Sequence, residues 1–219
     1  MIADKHTIQV KGIGRVSRTP DTIIIWMHVE SCDTDYKRAV DSAAQQLNLI
    51  RANLGTIGFT KEDLKTTGFD IHARYDNIRQ GDNTYKEVFI GYEVRHDLSL
   101  SFPKDMTKLD EVISVLSMCL ADPDVRIGFA LSDIDGAKKE ILEKATKDAL
   151  EKANILCNAA NVKLGQLLSI DYSWDEISFE AHDKFRMSDL IIGCEKASFD
   201  FEPDDIKASD TVEFTWEIK

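Results

Sequence analysis

The sequence predicts an α+β fold with a ferredoxin-like core over residues 22–133, on three observations. First, residues 88–102 alternate apolar and polar side chains, as expected of a long strand with one buried face. Second, apolar residues at spacings of three and four, typical of amphipathic helices, lie on both sides of that stretch. Third, the segments from 22 to 133 follow the order strand, helix, strand, strand, helix, strand, which is the split βαβ order.

An extra N-terminal strand is predicted at residues 6–17, interrupted by two glycines. The first strand of the core follows at 22–31, and both of its faces are apolar. A strand of this kind is covered on both sides or lies at an interface, which makes Trp26 a candidate interface residue.

The remaining elements of the core are predicted from changes in the spacing of the apolar residues, which is two in strands and three or four in helices. A helix is predicted from Tyr36, followed by a strand at 65–77 and a polar hairpin loop at 77–86. A second helix at 104–120 and a strand at 125–133 complete the core. In the strand at 65–77, one face is predicted to point to the core: Phe69, Ile71, Ala73 and Tyr75.

A C-terminal extension, residues 134–219, adds a helix and two strands. The helix is predicted at 134–161 and the strands at 166–174 and 210–218. Residues 175–209 are read as an irregular excursion between the two strands. The last strand lies near a chain end, where an exposed sheet edge is expected, and Trp216 is a second candidate interface residue.

The composition excludes several classes of protein. Of the 219 residues, 39 are acidic and 27 basic, and a net charge of -12 with scattered basic residues argues against nucleic-acid binding. The N-terminus has no apolar run typical of a secretion signal, and no stretch approaches the roughly 20 apolar residues of a membrane helix. We therefore expect a soluble, cytoplasmic protein without a transmembrane segment. The four cysteines lie far apart, which predicts free thiols rather than a zinc site.

No motif indicates catalysis or a cofactor. The Gly12-Ile13-Gly14 stretch lacks the third glycine and the helix of a dinucleotide fingerprint, and no serine lies in a nucleophile elbow. The five histidines show no metal-ligand spacing, and His96 is interpreted as a core histidine. The sequence therefore predicts no catalytic residue, no metal and no cofactor, and a protein that is not an enzyme.

Three motifs carry a resemblance to a known family: G-x-G-x-V-x-x-x-P-D from Gly12, K-E-D-L-x-T-x-x-F from Lys61, and the VKLG turn at Val162. Together with the closing stretch 202–218, they resemble the bacterial SIMPL-domain family over most of the chain. The resemblance implies an α+β fold and a tendency to form homo-oligomers, ring-like or larger in some members. The chain is long enough for one large domain or two tightly joined subdomains, and we expect a single SIMPL-like domain over 1–219. No settled activity comes with it. Its associations with stress tolerance and surface antigenicity belong to members with signal peptides.

Two functional hypotheses remain open. The first is a non-enzymatic, self-assembling homo-oligomer that uses Trp26 and Trp216 at its interfaces. The alternative is a module that binds a small ligand or a metal, either on a polar sheet face with His72, Arg74 and Arg95 or in a cleft beneath 175–209.

Overall fold

A computed structural model describes residues 6–79, 85–172, 185–186 and 202–219. Three helices and eight strands occur in these ranges. In chain order they are β1 (Thr7–Arg18), β2 (Thr22–Asp33), α1 (Tyr36–Thr56), β3 (Leu64–Arg79), β4 (Tyr85–Pro103), α2 (Met106–Ser117), β5 (Asp124–Ala130), α3 (Ile134–Ala159), β6 (Leu164–Asp171), β7 (Phe185–Arg186) and β8 (Ile206–Ile218).

The chain divides into two compact units, each with its own sheet. The terminal unit comprises Met1–Asp21, Ala130–Ala181 and Pro203–Lys219, and the central unit comprises Thr22–Phe129 and His182–Glu202. The strand order is β1-β8-β6 in the terminal unit and β3-β4-β2-β5-β7 in the central unit. The pairings of β4 with β2 and β3, and of β8 with β1 and β6, are antiparallel.

Each helix begins after an aspartate that caps it. The carboxylates of Asp35, Asp105 and Asp133 accept hydrogen bonds from backbone N–H groups in the first turns of α1, α2 and α3. These N–H groups have no partner within a helix, so a capping carboxylate stabilises the helix start.

In the central unit, β4 lies between β2 and β3, and α1 packs on β2 and β4. Alternate residues of β2, among them Ile23 and Ile25, are fully buried on the helix-covered side, as are Leu98 and Leu100 of β4. His96 is also buried there, with its Nε2 3.0 Å from the hydroxyl of Thr66, which agrees with its interpretation as a core histidine.

In the terminal unit, α3 lies directly on β1 and β8. A Cβ atom on Gly12 would collide with the carbonyl oxygen of Ala145, and one on Gly14 with that of Ile141. The two glycines that weaken the strand pattern are therefore what lets the helix approach β1. The core between them includes Phe214 and Trp216, whose rings stack 5.4 Å apart.

The outer edge of β1 is covered by side chains of α3 at i, i+4 and i+8. The ammonium groups of Lys144 and Lys152 donate to the carbonyl oxygens of Arg15 (3.2 Å) and Lys11 (3.3 Å). Between them, Asp148 accepts a 2.7 Å hydrogen bond from the N–H of Ile13. Free edge groups are the part of a sheet that recruits a further strand, so α3 closes this edge.

The α+β class is confirmed, and the predicted helices and strands occur in the predicted order, with β7 as an additional short strand in the stretch read as irregular. The predicted core face of β3 is covered at Ile71, which packs against a buried cluster of α1 and β4, but Phe69 and Tyr75 are not buried, since both side chains are 53% exposed. The predicted end of the excursion, residue 209, is also too late, because β8 begins at Ile206. Residues 173–184 and 187–201 of that excursion lie outside the described residues. The prediction of one domain, with a core at 22–133, stays a prediction.

Candidate functional site

Eight polar residues form what we call the polar face, on the side of the central sheet away from α1. In β4, Asp97 lies opposite His28, and Arg95 lies between Glu30 and Asp70 on the neighbouring strands. One step further along, Glu93 lies opposite His72. Since side chains alternate along a strand, this register places one set on one face: His28, Glu30, Asp70, His72, Arg74, Glu93, Arg95 and Asp97.

Glu93 is the centre of the polar face. Its side chain is only 3% exposed, and its carboxylate lies 2.6 Å from Nη2 of Arg95 and 2.9 Å from Nη1 of Arg74. The ring Nε2 of His72 lies 3.4 Å away. Long arginine side chains cover the carboxylate while their charged ends stay half exposed. The structure therefore brings together the three ligand-binding candidates His72, Arg74 and Arg95, and their common partner is a buried carboxylate.

A second histidine extends the network. Nδ1 of His28 lies 2.6 Å from Asp97 and its Nε2 lies 3.0 Å from Glu30. The hydrogen bond to Glu30, followed by that to Asp97, raises the pKa of His28. Glu30 is also 3.4 Å from Nε of Arg95, so the carboxylates alternate with cations across the face. The His28 contact lowers the pKa of Glu30 in return.

Chemically, the carboxylates of this face are paired with neighbouring histidine and arginine side chains. The hydrogen bond with His28 lowers the pKa of Glu30 and so favours its ionised form, which makes this carboxylate a poor general base. Among the described residues, no group of three His, Cys, Asp or Glu side chains is arranged to hold a metal ion. The predictions that the protein has no catalytic residue and no metal stay predictions.

A cavity of about 400 Å³ lies beside this network in the central unit. Trp26, His28, Asp97 and Arg126 are among its lining residues. The indole of Trp26 lies against Gly128, where a Cβ atom would be 2.6 Å from the ring. The cavity therefore offers an aromatic surface next to a pair formed by a histidine and a carboxylate.

The other notable region is the end of the β3–β4 hairpin, residues 74–79 and 85–91, which we call the hairpin arm. β2 pairs with β4 only up to Tyr92, and within the described residues the arm is a ribbon of two strands. Its large apolar side chains are open to solvent: Tyr75 is 53% exposed, Ile78 50%, Tyr85 69% and Phe89 39%. The rings of Tyr75 and Phe89 contact each other, with their centroids 5.5 Å apart.

The two candidate interface residues lie in different surroundings. Trp216 is 6% exposed and belongs to the core of the terminal unit. Trp26 is half-buried beside the cavity. Loss of assembly in a Trp216→Asp variant would thus report on folding, so other residues are needed to test an interface.

Sequence reasoning missed the burial of Glu93 and the exposure of the hairpin arm. The alternating pattern places Glu93 on the polar, solvent-facing side of its strand, which gives no indication of its burial. The signal in the sequence was Arg95, two residues along the same strand face, whereas Arg74 reaches Glu93 from the neighbouring strand. For the arm, the signal was the polar sequence of residues 77–86, in which Ile78 and Tyr85 have few apolar neighbours.

No helix in the described ranges is both long enough and apolar enough to cross a membrane. Comparison with known proteins gives two findings. The profile of a family described as "SIMPL: Protein of unknown function (DUF541)" matches residues 8–216. The chain is also 21% identical over 170 residues to a 26 kDa periplasmic immunogenic protein of Brucella abortus (strain S19), an alignment that covers 78% of this chain and 68% of that protein.

Proposed function

The chain belongs to the SIMPL family, and we propose that it is a non-enzymatic protein that assembles into homo-oligomers through its hairpin arm. The observation that carries the proposal is the exposure of the arm's four large apolar side chains, Tyr75, Ile78, Tyr85 and Phe89. A two-stranded ribbon is only marginally stable in water, whereas packing of such side chains against a second copy would stabilise it.

The charges of the arm support a side-by-side contact rather than the addition of a strand. β3 is an edge strand of the central sheet, and charged residues occur along it. Charged side chains on an edge strand oppose strand addition by another chain. The aromatic side chains then supply the contact area, as they do at many interfaces between proteins.

The test is the solution mass of the full-length chain, measured by light scattering at two concentrations. The unmodified protein is expected at a multiple of 24.7 kDa. A double variant, Ile78→Ser with Tyr85→Ser, is expected at a lower mass with unchanged circular dichroism. The matched control is Leu120→Ser, which removes an apolar side chain that is 89% exposed but lies outside the arm. A monomeric unmodified protein, or an arm variant of unchanged mass, would contradict the proposal.

A second candidate function, binding of a small molecule, is supported by the cavity beside Trp26. An indole surface next to His28 and Arg126, which pair with Asp97 and Asp124, suits a small aromatic ligand with polar groups. A thermal-shift screen of metabolites and divalent metals is expected to give a hit that Trp26→Leu abolishes. The variants His72→Ala and Arg95→Ala test the polar face in the same screen. No shift across the panel would contradict this candidate. The cleft beneath 175–209 falls largely outside the described residues.

We also propose that the protein works in the cytoplasm and that its central core is ferredoxin-like. The described cysteines Cys32, Cys119 and Cys157 are unpaired, as is typical of a reducing compartment. The name of the Brucella abortus relative favours the periplasm, and cell fractionation with an antibody decides between the two. The order β3-β4-β2-β5 supports the ferredoxin-like arrangement, which an experimental structure would test.

A further inference from the structure

A depression lies on the outer face of the terminal sheet, away from α3. In the β1–β8 register, Arg15 lies opposite Ser209 and Ser17 lies opposite Lys207. The four residues form a rectangle with two long cations on one diagonal and two short hydroxyl side chains on the other. Because the serines are short, a concavity of about 380 Å³ remains between the cations, with Val16 and Ala208 completing its lining.

The cations of this depression have no carboxylate partner within ion-pair distance among the described residues. Their neighbour on the same face, Lys11, pairs with Glu213 at 3.7 Å, and Arg18 at the end of β1 pairs with Glu140 at 2.7 Å. Asp148 of α3 acts on Arg15 only through a charge interaction, without an ion pair. In a chain with a net charge of -12, two cations without an ion pair on one sheet face are a local excess of positive charge.

A carboxylate contacts one of the residues that line the depression. Asp205 accepts hydrogen bonds from the hydroxyls of Ser17 (3.0 Å) and Thr19 (2.9 Å). Its negative charge opposes an anion in the depression. Because the Ser17 hydroxyl donates its hydrogen bond to Asp205, it is not available as a donor to a ligand. The hydroxyl of Ser209 lies opposite Arg15 and is the available neutral donor.

We propose that this depression, which we call the anion site, binds the phosphate group of a small molecule. Arg15 and Lys207 neutralise the charge from two sides, and the hydroxyl of Ser209 donates a third hydrogen bond from the floor. A phosphate group accepts several hydrogen bonds at once and fits between a planar guanidinium and an ammonium group. The site is independent of the assembly proposed above, since it lies in the terminal unit and the arm lies in the central unit.

Equilibrium dialysis of the full-length protein with radiolabelled inorganic phosphate tests the site, with chloride keeping the ionic strength constant. We expect saturable binding of about one phosphate per chain. The variants Arg15→Gln and Lys207→Gln should each weaken binding by about tenfold, since each removes a charge-assisted hydrogen bond. Lys11→Gln is the matched control, because it removes a cation of the same face that already has a partner.

The Asp205→Asn variant tests whether the bound group is an anion, which the charge of Asp205 would repel. Removal of this carboxylate should strengthen phosphate binding, whereas a general loss of folding would weaken it. Binding that acetate displaces as well as phosphate does would assign the site to any small anion and overturn the proposal. No saturable binding up to about 10 mM, or binding that the Arg15→Gln/Lys207→Gln double variant retains, would overturn it as well.

Discussion

Strand β1 and the hairpin arm share an alternating sequence pattern, but only β1 is covered within its own unit. Val10 and Val16 of β1 are buried beneath α3, and side chains of the same helix close its outer edge. In the arm, Tyr75 and Tyr85 stay exposed and no helix of the described part covers them. An alternating pattern therefore indicates a strand, whereas the burial of its apolar face depends on which element packs against it.

The largest effect is expected where α3 touches β1. Gly12→Ala places a Cβ atom into the carbonyl oxygen of Ala145, so helix and strand must separate. We expect the free energy of unfolding to fall by at least about 3 kcal/mol, measured by urea denaturation. A loss below about 0.5 kcal/mol would contradict the close packing of α3 on β1.

The second largest loss of stability is expected from a substitution at the base of the arm. Glu93→Gln removes the buried charge that Arg74 and Arg95 share, and we expect a loss of about 1–3 kcal/mol in stability. The half-exposed arginines keep this below the cost of breaking a fully buried pair. Glu87→Gln, on the exposed part of the same strand, is the control and should change stability by less than about 0.5 kcal/mol. Equal effects of the two variants would show that Glu93 does not hold the base of the arm.

A glycine with open space should give an effect of opposite sign. Gly55 lies in α1, and nothing lies within 4 Å of a Cβ atom built there. Gly55→Ala is expected to raise the free energy of unfolding by about 0.5–1 kcal/mol, since alanine favours the helix. The same urea experiment measures it, and destabilisation would mean that the end of α1 packs differently.

The smallest effects concern pH. His28 has a raised pKa, so its stabilising contribution is complete below the unfolded value of 6.5 and is lost as the pH rises through the folded pKa. The His28→Gln substitution should therefore cost more stability at about pH 5.5 than at about pH 8.5.

His96 provides the reverse case. Burial, and to a smaller extent Arg51, lowers its pKa, so its contribution is present above 6.5 and is lost as the pH falls through the folded pKa. The His96→Gln substitution should thus cost more at about pH 8.5, and the same pH slope for both variants would contradict the two assignments.

Much of the fold could be predicted from the sequence because local periodicity determines where helices and strands lie. β2, α1 and α3 begin within one residue of their predicted positions. How much of the core face of β3 is covered could not be predicted, because Ile71 packs against α1 and β4 whereas Phe69 on the same face is 53% exposed. The closure of the β1 edge was also missed: Asp148 and Lys152 read as a surface pair, and only the packing of α3 brings them to the backbone of β1.

The candidate site was predictable in its residues but not in its chemistry. His72, Arg74 and Arg95 were selected from the polar face, and they do converge. What they converge on, the carboxylate of Glu93, follows from a cross-strand register that the sequence does not specify.

Amide hydrogen exchange of the full-length protein tests the central claim most directly, namely that α3 covers β1 whereas a second copy covers the arm. Amides of β1 are the internal reference and should be equally protected in the unmodified protein and in the Ile78→Ser/Tyr85→Ser variant. We expect arm amides, at 74–79 and 85–91, to be protected in the unmodified protein and to exchange faster in the variant. Equal exchange of the arm in both proteins would contradict the claim.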